Sequence, residues 1–68
     1  MILYFEDSWG SRRIIAKPNT EEDAIKEIYK FCEDRKFKIY YVRTWRNEDG
    51  LKVYDVGSWN EFFLLDDN

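Results

Sequence analysis

The sequence predicts an α+β fold: a single two-layer domain over residues 1–68, with the element order ββαβββ and one helix across one face of a mainly antiparallel sheet. Two observations, a pair of hairpin patterns and an amphipathic stretch between them, predict the first four strands and the helix. Two β-rich hairpin patterns, each with a four-residue turn ending in glycine, flank one amphipathic stretch. A third observation, a short apolar run near the C-terminus, adds a fifth strand. We expect a strand order near 2-1-5-4-3.

The first hairpin is predicted from a strand over residues 1–6 and a turn over residues 7–10. An Asx residue at the first turn position and a glycine at the fourth are typical of a type I turn closed by a glycine bulge. Such a turn sets Asp7 opposite Ser11 and so determines the register of both strands. The predicted cross-strand pairs are Glu6 with Arg12, Phe5 with Arg13, Tyr4 with Ile14 and Leu3 with Ile15.

The helix is predicted over residues 20–35, after Pro18 ends the second strand. Thr20 and Asp23 have the spacing of an N-terminal cap, and acidic residues follow in the first turn, where the helix dipole favours them. Helical periodicity places five residues on one apolar stripe: Ala24, Ile25, Ile28, Phe31 and Cys32. We therefore expect Cys32 to be a buried, unreactive thiol.

The second hairpin is predicted from β-rich runs at residues 39–45 and 51–56, joined by an Asn-Glu-Asp-Gly turn at residues 47–50. Its register sets Trp45 opposite Val53, Arg43 opposite Asp55 and Val42 opposite Val56. Residues 62–65 form the last predicted strand, after a bend at Gly57. Four apolar residues in a row favour a central position in the sheet, beside the first strand, because an exposed apolar edge would aggregate.

The composition of the chain narrows the range of functions that we expect. The chain has 68 residues, a net charge of -3, one cysteine and no histidine. Without histidine, a phosphate loop or a cysteine cluster, we expect no enzyme, no catalytic residue, no cofactor and no metal site. The apolar opening at residues 1–5 is too short for a signal peptide or a membrane span. We therefore expect a cytoplasmic protein with no membrane contact.

One helix covers one face of such a sheet, so the other face is expected to stay open. We assign the face with Leu3, Phe5, Ile15, Val42 and Val56 to the core, which leaves Ile2, Tyr4, Ile14, Tyr41, Trp45 and Val53 on the open side. Tyr, Trp and Arg are enriched at interface hot spots. We expect Trp45, Tyr41 and Arg43 to centre a contact surface and to contribute little to stability. The predicted binding residues are Tyr4, Tyr41, Arg43, Trp45, Val53 and Asp55.

The segment 40–65, YYVRTWRNEDGLKVYDVGSWNEFFLL, resembles the C-terminal half of small uncharacterised proteins from phages and prophages of Gram-positive bacteria. The shared pattern is paired tyrosines, an Arg two residues before a Trp, an acidic-glycine turn, then Asp-Val-Gly-Ser and Glu-Phe-Phe. The looser similarity of the opening strand and the helix extends it over most of the chain. The resemblance implies a mobile-element origin in a bacterial host and no specific activity.

Three functions remain open at this point. The first is protein–protein contact through the open face, either self-association or binding of a host or phage protein. The second is binding of a single-stranded nucleic acid or a nucleotide, since residues 35–53 carry six cations against two carboxylates, among them Arg43, Arg46 and Lys52 beside the aromatic residues. The third is a solvated sheet face without a partner.

Overall fold

Five strands and one helix make up the computed structural model, which describes residues 1–68. All strand pairs are antiparallel, in one sheet of order β2-β1-β5-β4-β3. The predicted α+β class, element order and strand order are therefore confirmed. The elements are β1 (Ile2–Glu6), β2 (Arg12–Ala16), α1 (Glu21–Arg35), β3 (Arg43–Arg46), β4 (Lys52–Asp55) and β5 (Phe62–Asp66).

Both hairpin turns have the predicted geometry. The side-chain oxygens of Asp7 and Asn47 each accept two backbone N–H bonds, from the residues two and four positions later, at 2.9–3.0 Å. Gly50 has a φ of 79°, in the left-handed region that a glycine adopts without strain. These contacts lie within five residues of one another, which is why the turn sequence alone predicts them.

The first hairpin departs from its predicted register at one position. Leu3 pairs with Ala16, where Ile15 was expected, because an irregularity in β2 follows the pair of Tyr4 with Ile14. An extra residue in one strand is a β-bulge, and it bends that strand. The bend lets both Ile15 and Ala16 pack against the core.

The second hairpin is shorter than predicted. Its pairs Arg43 with Asp55 and Trp45 with Val53 are confirmed, but β3 begins only at Arg43. The expected pair of Val42 with Val56 is absent, and the Tyr40 N–H donates to the Val56 carbonyl at 3.0 Å instead. The predicted strand over residues 39–42 is therefore wrong.

The helix begins and ends as its sequence indicates. The Thr20 hydroxyl accepts the Asp23 N–H at 3.1 Å, and the acidic first turn follows. At the other end Lys36 adopts the left-handed region, with a φ of 58°, and the Phe37 N–H donates to the Cys32 carbonyl. Cys32 is buried, whereas Ile25, predicted on the same stripe, is exposed.

The main core lies between the helix and one face of the sheet. Leu3, Phe5 and Val56 belong to it, so the choice of the helix-covered face is confirmed for them. Val42 was assigned to the same face and is exposed instead, because the strand that would have directed it inward does not form. Ile39 packs against the core. The buried members of the core are Leu3, Phe5, Ala24, Ile28, Cys32, Tyr54, Val56, Phe63 and Leu65.

The face opposite the helix is not flat. Arg12 on β2 bonds Asp49 in the turn between β3 and β4, with 3.4 Å between Nη1 and Oδ2. In a flat sheet these two edges would lie about 19 Å apart, because four strand spacings separate them. Sheet twist brings one pair of diagonal corners together over this face. The strands at its centre are therefore partly enclosed without a second helix.

No helix in the fold has both the length and the apolar character needed to cross a bilayer.

Candidate functional site

A row of apolar side chains crosses all five strands on the face opposite the helix. The cross-strand register places its members side by side, and their exposure varies along the row. The two residues at the ends of the row are about half exposed, whereas the two members on the central strands β5 and β4 are buried. The twist of the sheet explains this, because it closes the centre of the face more than its edges. In spatial order the row is Ile14, Tyr4, Leu64, Val53 and Trp45.

Trp45 covers part of this centre. Its ring meets the Phe62 ring edge to face, with 6.0 Å between the centroids. Since Trp45 lies on β3 and Phe62 on β5, the contact spans β4 and covers Val53 and Asp55 between them. Both residues were predicted to contact a partner, and both are buried. The structure leaves these two side chains little surface for direct contact, because aromatic neighbours on the flanking strands cover them.

Arg43 is held by the residues around it. Its Nη2 donates to the Asp55 Oδ2 at 2.9 Å, and its guanidinium carbon lies 4.9 Å from the centroid of the Tyr41 ring. The bond to Asp55 raises the pKa of the Arg43 guanidinium, so it stays charged. Asp55 also accepts the Gly57 N–H at 2.9 Å. Asp55 therefore positions Arg43 and the bend after β4, while the remaining guanidinium donors face solvent.

The exposed aromatic residues continue beyond those predicted. Tyr40 and Tyr41 both pack so closely against Gly57 that no side chain would fit at that position. A Cβ there would lie 2.9 Å from the Tyr40 Cβ. Tyr40 and Trp59 in turn line one groove of about 480 Å³ between residues 36–40 and residues 57–61. Trp59 is 85% exposed and Tyr40 66%. We call this set the aromatic surface: Tyr40, Tyr41, Arg43, Trp45 and Trp59.

Strand direction brings these residues together. In an antiparallel sheet of this order, β4 ends at the same edge at which β3 and β5 begin. The segments 36–42 and 56–61 therefore meet there, although residues 43–55 separate them in the sequence. The only sequence signal for Tyr40 and Trp59 was their aromatic character beside a glycine bend, and that signal does not indicate exposure.

Two of the three cations proposed for nucleic-acid binding lie elsewhere. Arg46 forms a two-bond pair with Asp67, at 2.7 and 2.8 Å, and Lys52 bonds Glu21 at the start of the helix. Of the three, only Arg43 lies beside the exposed aromatic rings. Alternation along β3 explains the separation, since Arg43 and Arg46 are three residues apart and point to opposite faces.

Glu21 connects this second cluster to the core. Its carboxylate accepts the Tyr54 hydroxyl at 2.6 Å as well as the Lys52 ammonium. The hydrogen bond from Lys52 is the larger cause, and that from Tyr54 the next, of a pKa of Glu21 below its ordinary value. Burial, aided by the bond to Glu21, raises the pKa of the Tyr54 phenol. The phenol therefore remains a donor, and the cluster joins the helix to β4.

Tyr4 shares the face with Trp45 but not the aromatic surface. Leu64 and Val53 lie between the two rings in the cross-strand row, and Tyr4 itself is only partly exposed. Four of the six predicted binding residues thus retain exposed atoms, and three of them, Tyr41, Arg43 and Trp45, lie together.

Comparison of the chain with protein-family models, with curated proteins and with solved structures gave no match.

Proposed function

We propose that this chain is a small non-enzymatic accessory protein, of the type found in phages of Gram-positive bacteria, that binds another protein through the aromatic surface. The observation that carries the proposal is the exposure of four neighbouring aromatic rings on a chain of 68 residues. Trp, Tyr and Arg are enriched among the residues that dominate the energetics of protein interfaces. The aromatic side chains among them are rigid and bury large areas at low entropic cost.

The size of the aromatic surface favours a transient contact. A fully exposed aromatic side chain offers about 150–250 Å². At exposures between 44% and 85%, the four rings together leave roughly 500 Å² in water. The largest apolar patch of an ordinary monomer is about 300–600 Å² and is often functional, whereas a stable interface buries about 800 Å² on each partner.

Charge favours a different protein over a second copy as the occupant. Lys36 and Lys38 line the groove, form no ion pair in the fold and outnumber its one carboxylate, Glu61. A symmetric dimer built on this patch would bring the cations of both copies together. We therefore propose a partner that presents apolar side chains flanked by carboxylates, which can pair with these lysines and with Arg43.

The second candidate is single-stranded nucleic acid, which stacks on aromatic rings between cations. Lys38 beside the Tyr40 ring, with 5.1 Å from Nζ to the centroid, is the observation in its favour. The placement of Arg46 and Lys52 in ion pairs away from the aromatic surface, together with the net charge of -3, weighs against it.

The test is affinity capture from phage-infected cells, with matched variants. We expect Trp59→Ala and Tyr40→Ala each to reduce capture of a partner at least tenfold, while Tyr29→Ala, an exposed tyrosine on the helix, leaves it unchanged. A partner retained by all variants would contradict the assignment of the surface.

Three further measurements separate the alternatives. Sedimentation across protein concentration should give a monomer, and a dimer that Trp59→Ala abolishes would instead support self-association. Binding that is lost after nuclease treatment would support the nucleic-acid alternative. Binding of a single-stranded oligonucleotide by the purified chain, with an affinity that falls steeply as salt is added, would do the same, because phosphate contacts release counterions.

A further inference from the structure

A second groove lies where the last turn of α1 passes the start of β2. Its volume is about 290 Å³. Three of the six side chains that line it are arginines, and the only acidic one is Asp7. The lining residues are Phe5, Asp7, Ser11, Arg12, Arg13 and Arg35. The groove is therefore a concentration of positive charge on a chain whose net charge is negative.

Two of these arginines are not neutralised by the protein. Arg12 pairs with Glu6 at 2.9 Å and with Asp49, whereas Arg13 and Arg35 form no ion pair. Asp7 forms no ion pair with either of them, and its Oδ1 accepts two backbone N–H bonds of its own turn. Two guanidinium groups thus face one groove without a bound carboxylate.

Aromatic rings hold both groups in place. The guanidinium carbon of Arg35 lies 4.9 Å from the centroid of the Phe31 ring, and that of Arg13 lies 5.9 Å from the same centroid. Phe31 packs on Phe5, with 4.8 Å between ring centroids, and Phe5 belongs to the core. A cation–π contact does not use the N–H donors as an ion pair would, and neither guanidinium forms an ion pair in the fold. The two forks are therefore positioned by the fold with their donors unused.

We propose that this groove binds the phosphate group of a soluble small molecule, with Arg13 and Arg35 as the principal contacts. Two planar forks from different elements suit an anion that has several oxygens, and arginine is the preferred residue for phosphate recognition. A bound phosphate also relieves the repulsion between two like charges that share one ring. None of the residues that line this groove belongs to the aromatic surface.

Amide chemical shifts during titration with inorganic phosphate test the proposal, at constant ionic strength maintained with sodium chloride. We expect saturable shifts confined to residues around Ser11, Arg13 and Arg35. Arg13→Gln and Arg35→Gln should each weaken binding about 10- to 100-fold, the usual loss for a hydrogen bond between charged groups. Lys17→Gln, which removes an exposed charge outside the groove, is the matched control and should bind as the original chain does.

The proposal would be overturned by the absence of a saturable shift with phosphate, by equal weakening in Lys17→Gln, or by acetate shifting the same amides as strongly at equal concentration. Both arginines are exposed, so the glutamine variants should fold, which the dispersion of the amide spectrum checks. Should either variant unfold, the lysine substitution at that position takes its place, because it keeps the charge and removes the planar fork. Undiminished phosphate binding by the lysine variants would also contradict the assignment.

Discussion

Trp45→Ala measures how far the twisted sheet encloses its own second face. A tryptophan side chain that is fully covered buries up to about 250 Å². Trp45 is 44% exposed, so the fold covers about 140 Å² of it. At about 25 cal/mol per Å², the upper limit is roughly 3.5 kcal/mol, and the area retained by alanine and a compact denatured chain reduce it to about 2 kcal/mol. This exceeds the small effect that the sequence alone led us to expect for Trp45.

The three tryptophans of the chain form a matched series for this experiment. Trp9 and Trp59 are 91% and 85% exposed, so their alanine variants should lose less than about 0.5 kcal/mol. Phe5→Ala removes a core ring and should lose about 3 to 5 kcal/mol. Urea unfolding followed by far-ultraviolet circular dichroism serves all four variants, since it does not depend on tryptophan fluorescence. If Trp45→Ala were as stable as Trp59→Ala, the contact with Phe62 would not stabilise the fold and our account of the enclosed face would be refuted.

The other predictions concern a bend, an ion pair and a thiol. Gly57→Ala should lower the free energy of unfolding in urea by about 2 to 4 kcal/mol, because strain at positive φ and a steric overlap with Tyr40 add. A Cβ at Gly50 meets no atom within 4 Å, so Gly50→Ala should cost only about 1 kcal/mol. Equal losses in the two variants would contradict the crowding around Gly57. Because Lys52 holds the pKa of Glu21 below its ordinary value, the stabilisation is complete above the ordinary glutamate pKa and is lost as the pH falls through the lowered one. The original chain should be more stable than Glu21→Gln by less than about 1 kcal/mol at neutral pH, because Glu21 is partly exposed. This difference should vanish in acid. A difference that grows in acid would refute the role given to the bond between Lys52 and Glu21. Burial raises the pKa of the Cys32 thiol, so a thiol reagent should label the native chain at neutral pH far more slowly than the denatured chain; similar rates would mean that Cys32 is accessible.

Charged partners illustrate which parts of the site could be predicted from the sequence. Arg43 opposite Asp55 follows from the turn at residues 47–50, since the type of turn sets the register and alternation sets the face. Arg46 with Asp67 could not be predicted in this way, because the two residues come from strand β3 and from the segment after β5. Such pairs require the position of every strand in the sheet and the path of the chain beyond its last strand.

The two hairpin turns with the strand pairs next to them, the helix with its cap and the buried thiol were determined by the sequence itself. Each rests on contacts between residues a few positions apart, or on a periodicity that a single helix or strand displays. The central position of β5 also followed from the sequence, because four consecutive apolar residues need neighbours on both sides. The tertiary structure alone decided how open the second face is. Twist is small at each pair of strands and accumulates over five of them, so it brings Arg12 to Asp49 and buries Val53 and Leu64. The direction of the strands likewise gathered Tyr40, Tyr41 and Trp59 at one edge of the sheet, since that meeting depends on three segments at once.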